Sequence, residues 1–492
     1  MSQMPTSSSW SLSGPQMGVW FAHELDASGS LYNVGECAEI RGRVDAAVME
    51  SAVRRVIGET DVLRIRLGYG QDGPWQELVD EIGFALHVVD VSGEADPVGA
   101  GFAWMREDYA TPVNLPGGEL WRIALVKAGE DHFFFYTRYH HTVIDGFSMA
   151  LIMRRVAELY TALVEGGPCP VSPFGPLATL LEDDAAYRAG AHFEADQHFW
   201  RDRLAHWPET VTLSTHTEAN PASSGRLRTT AYLPQADVDR LQDAAHRAGV
   251  RWSALLVGAA CAYLHKTTGA DDLTLGLVAA ARPAHLRHIP GMLSNIVPLH
   301  LTAAPGTALS ELARAASREV GEVLPHQRYR REDMRRDLRM ADGAGKLSGL
   351  ELNLFSFDYD FRFDGHPTTV HNLSIGPVED LMITVYMQPD GARIYFDADS
   401  VRYTQAELVA HQRRFTRVLE AFASGDSQTP LGQIDLLDES DRTRLLSEWA
   451  AGQETPTSAQ ATLPGLFVAQ VARTPDAVAV VGEDVRLSYR EV

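Results

Sequence analysis

Positive charge is in short supply in this chain: 43 lysines and arginines face 65 aspartates and glutamates over 492 residues, for a formal charge of −22. A field of that sign repels phosphate backbones, which argues against a nucleic-acid binder except where arginines gather locally. Cysteine is scarcer still. Cys37, Cys169 and Cys261 lie far apart, with no pair at metal-site or redox-motif spacing, so a disulfide scaffold and structural zinc are poor readings. The longest apolar run, around 254–264, is too short to cross a bilayer, and residues 1–10 carry no basic residue of a targeting signal. Neither a short-period repeat nor a phosphate-cradling glycine loop with its lysine is present. Together these absences predict a reduced, cytoplasmic protein that binds neither nucleic acid nor membrane. A hydrophobic content of 45% and a charged content of 22% are ordinary globular values, and the length suggests about two to four folding units.

Helical and strand-like patterns alternate along most of the chain, the mark of an α/β architecture. Over 45–57 the residues Val48, Met49, Ala52, Val53, Val56 and Ile57 share one face, with Asp45 as N-cap. A second stripe, Val238, Leu241, Ala245 and Ala248, stops at Gly249, which suits a left-handed cap. The stretches 132–140 and 273–278 read as strands, the latter followed by the breaker Arg282-Pro283. Four prolines and three glycines in 166–176 cannot continue a helix or a central strand, which predicts a subdomain boundary there. A linker rich in small polar residues runs through 449–461. Residues 463–492 then begin a new helix and strand, too few to bury a core alone.

The chemically informative stretch is Arg138-Tyr139-His140-His141-Thr142-Val143-Ile144-Asp145-Gly146-Phe147-Ser148. Along a strand, successive side chains face opposite ways, so the two histidines have different tasks. A helical stripe from Met149 to Leu163 follows, with Ser148 in N-cap position, and its first N–H groups are placed to favour an oxyanion. Three readings stay open on the residues alone. Both histidines are structural; or His140, His141 and Asp145 bind a metal, which adjacent histidines on opposite faces make difficult; or one histidine acts on the attacking nucleophile of an acyl transfer.

His-His-x-x-x-Asp-Gly resembles the signature of nonribosomal peptide synthetase condensation domains. Further motifs of that family follow in order. Leu12-Ser13-Gly14-Pro15-Gln16-Met17-Gly18-Val19-Trp20 resembles the first and Leu63-Arg64-Ile65-Arg66 the second, while Phe199-Trp200 resembles part of a later one. Ile289-Pro290-Gly291-Met292-Leu293-Ser294-Asn295 is similar to the family's Gly and Asn loop, with Leu293 and Ser294 replacing aromatic and β-branched positions. His326-Gln327-Arg328-Tyr329 matches in its first two residues. The likeness covers roughly 10–430. Ser172-Pro173-Phe174, Phe357-Asp358-Tyr359 and Gly376-Pro377-Val378, with Asp380-Leu381, most resemble the condensation domains that open siderophore synthetases of the enterobactin type.

The resemblance implies two chloramphenicol-acetyltransferase-like lobes, 1–175 and 176–430, forming a V-shaped pseudo-dimer around a central tunnel, then a linker over 431–462. By resemblance the tail, from Leu466-Phe467 and Gln470 through Arg473-Thr474-Pro475-Asp476-Ala477 to Leu487-Ser488-Tyr489-Arg490-Glu491, is the severed start of an adenylation domain at 463–492. The implied reaction is attack by the amine of a carrier-bound aminoacyl thioester on a carrier-bound acyl thioester. There is no intrinsic cofactor and no metal; both substrates ride on 4′-phosphopantetheine. With no room for a carrier domain before the first motif, the donor arrives in trans on an acyl or aryl carrier protein, bearing an aryl acid such as 2,3-dihydroxybenzoate. The other partners are downstream peptidyl carrier and adenylation domains.

His141 and Gly146 are the implied catalytic positions, with His141 as base or as positioner of the amine. Gly146 lets the backbone turn and approach substrate. His140 is structural, and Asp145 pairs with Arg64. Ser148, Ser294 and Asn295 line the tunnel. The arginines from Arg328 to Arg339 form either a solvated face balanced by Glu332, Asp333 and Asp337 or, at Arg328, Arg331 and Arg335, a landing surface for an acidic carrier. The alternatives are a coenzyme A-dependent acyltransferase and a non-catalytic recruitment module of the same fold.

Overall fold

The computed structural model describes residues 9–215, 225–340, 346–355, 361–424, 426, 428–450, 462–482 and 485–492. They fall into two compact units, Met1–Leu436 and Leu437–Val492.

Local chemistry decides most elements of the first unit. Helix Ala46–Glu59 begins where the Asp45 carboxylate accepts from the Ala47 and Val48 N–H groups at 2.8 and 3.1 Å, and it buries the expected apolar face. Helix Gln235–Ala248 ends on Gly249 at φ 71°, a left-handed conformation that favours glycine. Strand His132–His140 has the expected limits and is buried from Phe133 onward, because sheet neighbours flank it and apolar layers cover both faces. Strand Asp272–Ala279 is one residue longer at each end than its apolar run.

Two large sheets carry the unit, beside a small one of Ser9–Ser11, Gly73–Leu78 and Ile65–Gly70. A five-stranded sheet has the order Thr368–Ile375, Asn33–Arg41, His132–His140, Trp121–Gly129, His87–Asp90. A six-stranded sheet runs Asn295–Thr302, Asp272–Ala279, Leu350–Phe355, Leu381–Gln388, Gly391–Asp399, Arg226–Pro234. The apolar residues of helices Trp252–Thr268, Leu309–Val323 and Gln405–Ala423 share one core with the second sheet.

The expected division at 175 is crossed by a strand. Thr368–Ile375 pairs antiparallel with Asn33–Arg41, placing Asn372 opposite Glu36. A segment from the later half thus covers an edge that would otherwise expose its backbone groups. The proline-rich stretch carries neither helix nor strand between Val164 and Leu177, yet the unit continues to Leu436. The expected linker begins with ordered turns, Leu431–Gln433 and Glu439–Thr443, the latter capped by Asp438; positions 451–461 lie outside the described residues. In the second unit, helix Leu463–Arg473 precedes an antiparallel pair, Val478–Val481 with Arg486–Ser488.

Candidate active site

The strand carrying the paired histidines ends at His140, and the two rings meet different surroundings. His140 is 0% exposed. Its Nδ1 accepts from the Thr142 N–H at 3.3 Å and hydroxyl at 2.8 Å, which leaves Nε2–H to donate to His23 Nδ1 at 3.1 Å. Burial, reinforced by His23 and His141, pushes its pKa well below the ordinary 6.5, so the ring is a neutral joint between strand and helix Gly14–Glu24. His141 stands in the turn beyond and is half-buried. Its Nδ1 lies 2.7 Å from the Ile144 carbonyl. A carbonyl can only accept, so Nδ1 carries the proton and the unshared pair sits on Nε2. Burial lowers the pKa of this ring as well, against the opposing pull of that hydrogen bond, and keeps it neutral at pH 7.

His141 lines a cavity of about 470 Å³, together with Gly146, Phe147 and Ser294 and with strand residues from both sheets. Two glycines control the room around this wall, Gly146 in it and Gly376 beside His141. A Cβ on Gly146 would lie 2.7 Å from the ring of Phe355, and that ring is stacked on Tyr386 at 4.3 Å. Gly146 is therefore required for space. Gly376, at φ 88°, would put a Cβ 3.3 Å from His141 Cδ2, so both its conformation and the nearness of the imidazole favour glycine.

Asp145, nearly buried, also reaches this wall, and here the expected partner is wrong. Arg64 pairs with Asp61 at 2.8 Å and donates to the carbonyls of Val79 and Asp80. Asp145 is paired with Arg282 at 3.0 Å, both side chains being 1% exposed. Its oxygens also accept from the Ser148 N–H and hydroxyl and from the N–H groups of Leu293 and Ser294. Burial works to raise its pKa, but Arg282 and these donors hold it below the usual carboxylate value. Asp145, not Ser148, is the N-cap of helix Gly146–Val164. The helix end expected to favour an oxyanion is thereby occupied by a carboxylate of the chain itself. The metal reading also fails on geometry, since both nitrogens of His140 and both oxygens of Asp145 are already engaged. Among the described residues no group of three or more His, Cys, Asp or Glu could hold a metal, and no helix is long and apolar enough to cross a membrane.

Of the expected tunnel residues, Ser294 lines the cavity. Ser148 and Asn295 stand behind it. The Ser148 hydroxyl bridges Asp145 to Gly291, and Asn295 donates to the Gln327 and Tyr329 carbonyls and accepts from the Arg331 N–H. The arginine-rich segment is not the solvated face expected. Arg331 is buried against Glu351 at 2.7 Å and Glu379 at 3.4 Å, Arg330 holds the Ser294 carbonyl at 2.6 Å, and Arg328 pairs with Asp183 over the ring of Tyr187. Arg328 and Arg331 are consumed within the fold, leaving Arg336 and Arg339 exposed and Arg335 half-buried beside Glu379. Phe357, Asp358 and Tyr359 lie outside the described residues. Sequence reasoning passed over Arg282, Phe355, Glu36 and Asn372; only Arg282, an arginine at a strand end in a chain with a buried aspartate, carried any signal.

The Condensation domain family matches residues 7–446. The chain belongs to this family. It is 39% identical to a dimodular nonribosomal peptide synthase of Bacillus subtilis (strain 168) over 98% of its length, and 30% identical to enterobactin synthase component F of Escherichia coli O157:H7 over 97%. It spans 20% and 37% of those proteins. Among solved structures, a variant of the starter condensation domain of rhizomide synthetase, in complex with C8-CoA, matches with a TM-score of 0.82 and 40% identity over 88% of this chain and 98% of that one. The first condensation domain of the calcium-dependent antibiotic synthetase, bound to a substrate analogue, matches with a TM-score of 0.81 and 32% identity over 88% and 100%. Condensation domains are amide-forming acyltransferases that act on phosphopantetheine-tethered substrates without an intrinsic cofactor, and the mixed α/β fold described above is theirs.

Proposed function

We propose that this condensation domain joins an acyl group, supplied in trans on a separate carrier, to the amine of an aminoacyl thioester on a downstream carrier. In that reaction the amine nitrogen attacks the donor carbonyl, the C–N bond forms as the C–S bond breaks, and the departing thiolate takes up the proton that the amine loses. His141 carries the reading: a neutral imidazole whose Nδ1 is tied to Ile144 presents Nε2 as the acceptor for that proton, or for the N–H that orients the amine. Alignment of two tethered reactants supplies roughly 7–11 kcal/mol, against roughly 10²–10⁴-fold from proton transfer, so the cavity does more than the base.

The donor we propose is an aryl acid such as 2,3-dihydroxybenzoate, in a siderophore pathway. Likeness to enterobactin synthase component F supports this, and Glu36, Asn372 and Ser374 give one stretch of the cavity lining a polar character. A straight-chain acyl donor is the second reading, favoured by the apolar lining from Val257, Leu277, Val320 and Leu324. Residues 463–492 we read as the opening of an adenylation domain; the exposed Leu463, Val468 and Val481 are side chains that a larger core would cover. Arg335 remains our proposed contact for an acidic carrier. The test offers aryl-loaded and straight-chain-loaded carriers, in competition, to an aminoacyl carrier and reads amide on the acceptor by intact-protein mass spectrometry. Aryl amide is expected; no amide from either donor defeats the proposal, and straight-chain amide alone replaces its donor.

A further inference from the structure

The loop from 282 to 291 is wound around one guanidinium. Arg282 donates to the carbonyls of Leu286 at 3.1 Å, Ile289 at 2.5 Å and Gly291 at 2.9 Å while it pairs with Asp145. Its charge is thus spent inside the protein, and the loop backbone is fixed from within. Arg287 lies in the middle of this loop, just after the buried Leu286, with its own N–H bonded to Ala284. It is exposed to solvent, yet it also lines the cavity of His141. A side chain that does both stands where the cavity meets solvent. Arginines 282 and 287 are the cations of the lining, and Arg287 has no ion pair with a described residue.

A chain of charge −22 opposes the approach of a phosphate, so an arm that enters this mouth phosphate-last meets repulsion unless a local cation offsets it. Guanidinium suits the task, because its paired N–H groups match the oxygens of a phosphodiester. We propose that Arg287 is the phosphate anchor of this mouth: it takes the phosphodiester of a phosphopantetheine arm and sets how far the thioester reaches toward His141. It is a positioning residue and touches no reacting atom. The proposal rests on the amide-synthesis reading only for the identity of the arm.

Calorimetry on the full chain with 4′-phosphopantetheine and with pantetheine tests it without any turnover. The phosphorylated probe is expected to bind about tenfold more tightly at low salt, with the gap closing as salt screens the contact. Arg287→Glu should abolish the gap, Arg287→Lys should retain part of it, and neither should move the melting temperature. In kinetics, Arg287→Glu should raise KM for a coenzyme A or carrier thioester about tenfold at unchanged kcat, and leave both constants for the N-acetylcysteamine thioester, which lacks the phosphate, where they were. Donor and acceptor thioesters are varied in turn, and the one whose KM rises is the arm that enters here. Equal binding of the two probes to the wild-type chain, or a gap that survives Arg287→Glu, marks Arg287 as a solvated surface residue and overturns the proposal. Absence of amide from wild-type protein with the binding gap intact would defeat the proposed function and leave the anchor standing.

Discussion

The segment 140–146 faces two regions built on opposite principles. On one side, Asp145 and Arg282, at the edge of the cavity, form a buried hub in which each donor and acceptor named above has its place, and His140 is sealed separately against His23 and Thr142; on the other, His141 and Gly146 border open space. The hub supplies rigidity and the cavity supplies reactivity, and alternate residues of one short stretch feed each. A buried ion pair held by several further hydrogen bonds tolerates no half-removal, whereas truncating a side chain that borders a cavity costs function more than stability.

Substitutions at the junction should separate these regions. Asp145→Ala leaves Arg282 buried without its partner and the loop around 291–294 without its acceptor, so stability should fall by about 3–5 kcal/mol, read by urea denaturation. An unchanged midpoint would mean that the hub is not structural. His141→Ala should leave that midpoint in place and lower amide formation by roughly 10²–10⁴-fold if the ring moves the proton. A loss of only a few-fold, with carrier binding kept, would assign it to positioning. Gly146→Ala forces a methyl toward the stacked Phe355 ring at a cost of about 1–3 kcal/mol, and Phe355→Leu in the same chain should recover most of the activity.

The smallest effect is in pH. Asp145 has a depressed pKa, so its contribution is present above the ordinary carboxylate value of about 3.9 and fades as pH falls through the lower folded value. His140 is also depressed, which means that the unfolded chain binds a proton below pH 6.5 that the folded chain refuses. Stability should therefore decline from pH 7 toward pH 5 through His140 first. Urea midpoints across that range check it, and a flat profile would show the ring to be solvated.

Much of this site can be read from residue order, and what cannot is long-range. The split between His140 and His141 follows from the two-residue period of a strand, and the caps at Asp45 and Gly249 follow from local chemistry. The partner of Asp145 does not: Arg282 lies 137 positions away, and a nearer arginine, Arg64, satisfies its own local carboxylate. Ser148 and Asp145 are both good capping residues three apart, and only the arrangement of 291–294 around the carboxylate decides between them. Strand Thr368–Ile375 entering the first sheet is likewise a pairing across more than 300 residues, with no local trace.

A crystal structure of the protein holding a non-hydrolysable acyl-pantetheine analogue would bear most directly on the account. The carbonyl carbon should lie in the cavity between His141 and Gly146, with the analogue's amide isostere within hydrogen-bond reach of His141 Nε2. Density running instead through the separate groove beside Trp10, Met17 and Phe21, with the His141 cavity empty, would contradict it.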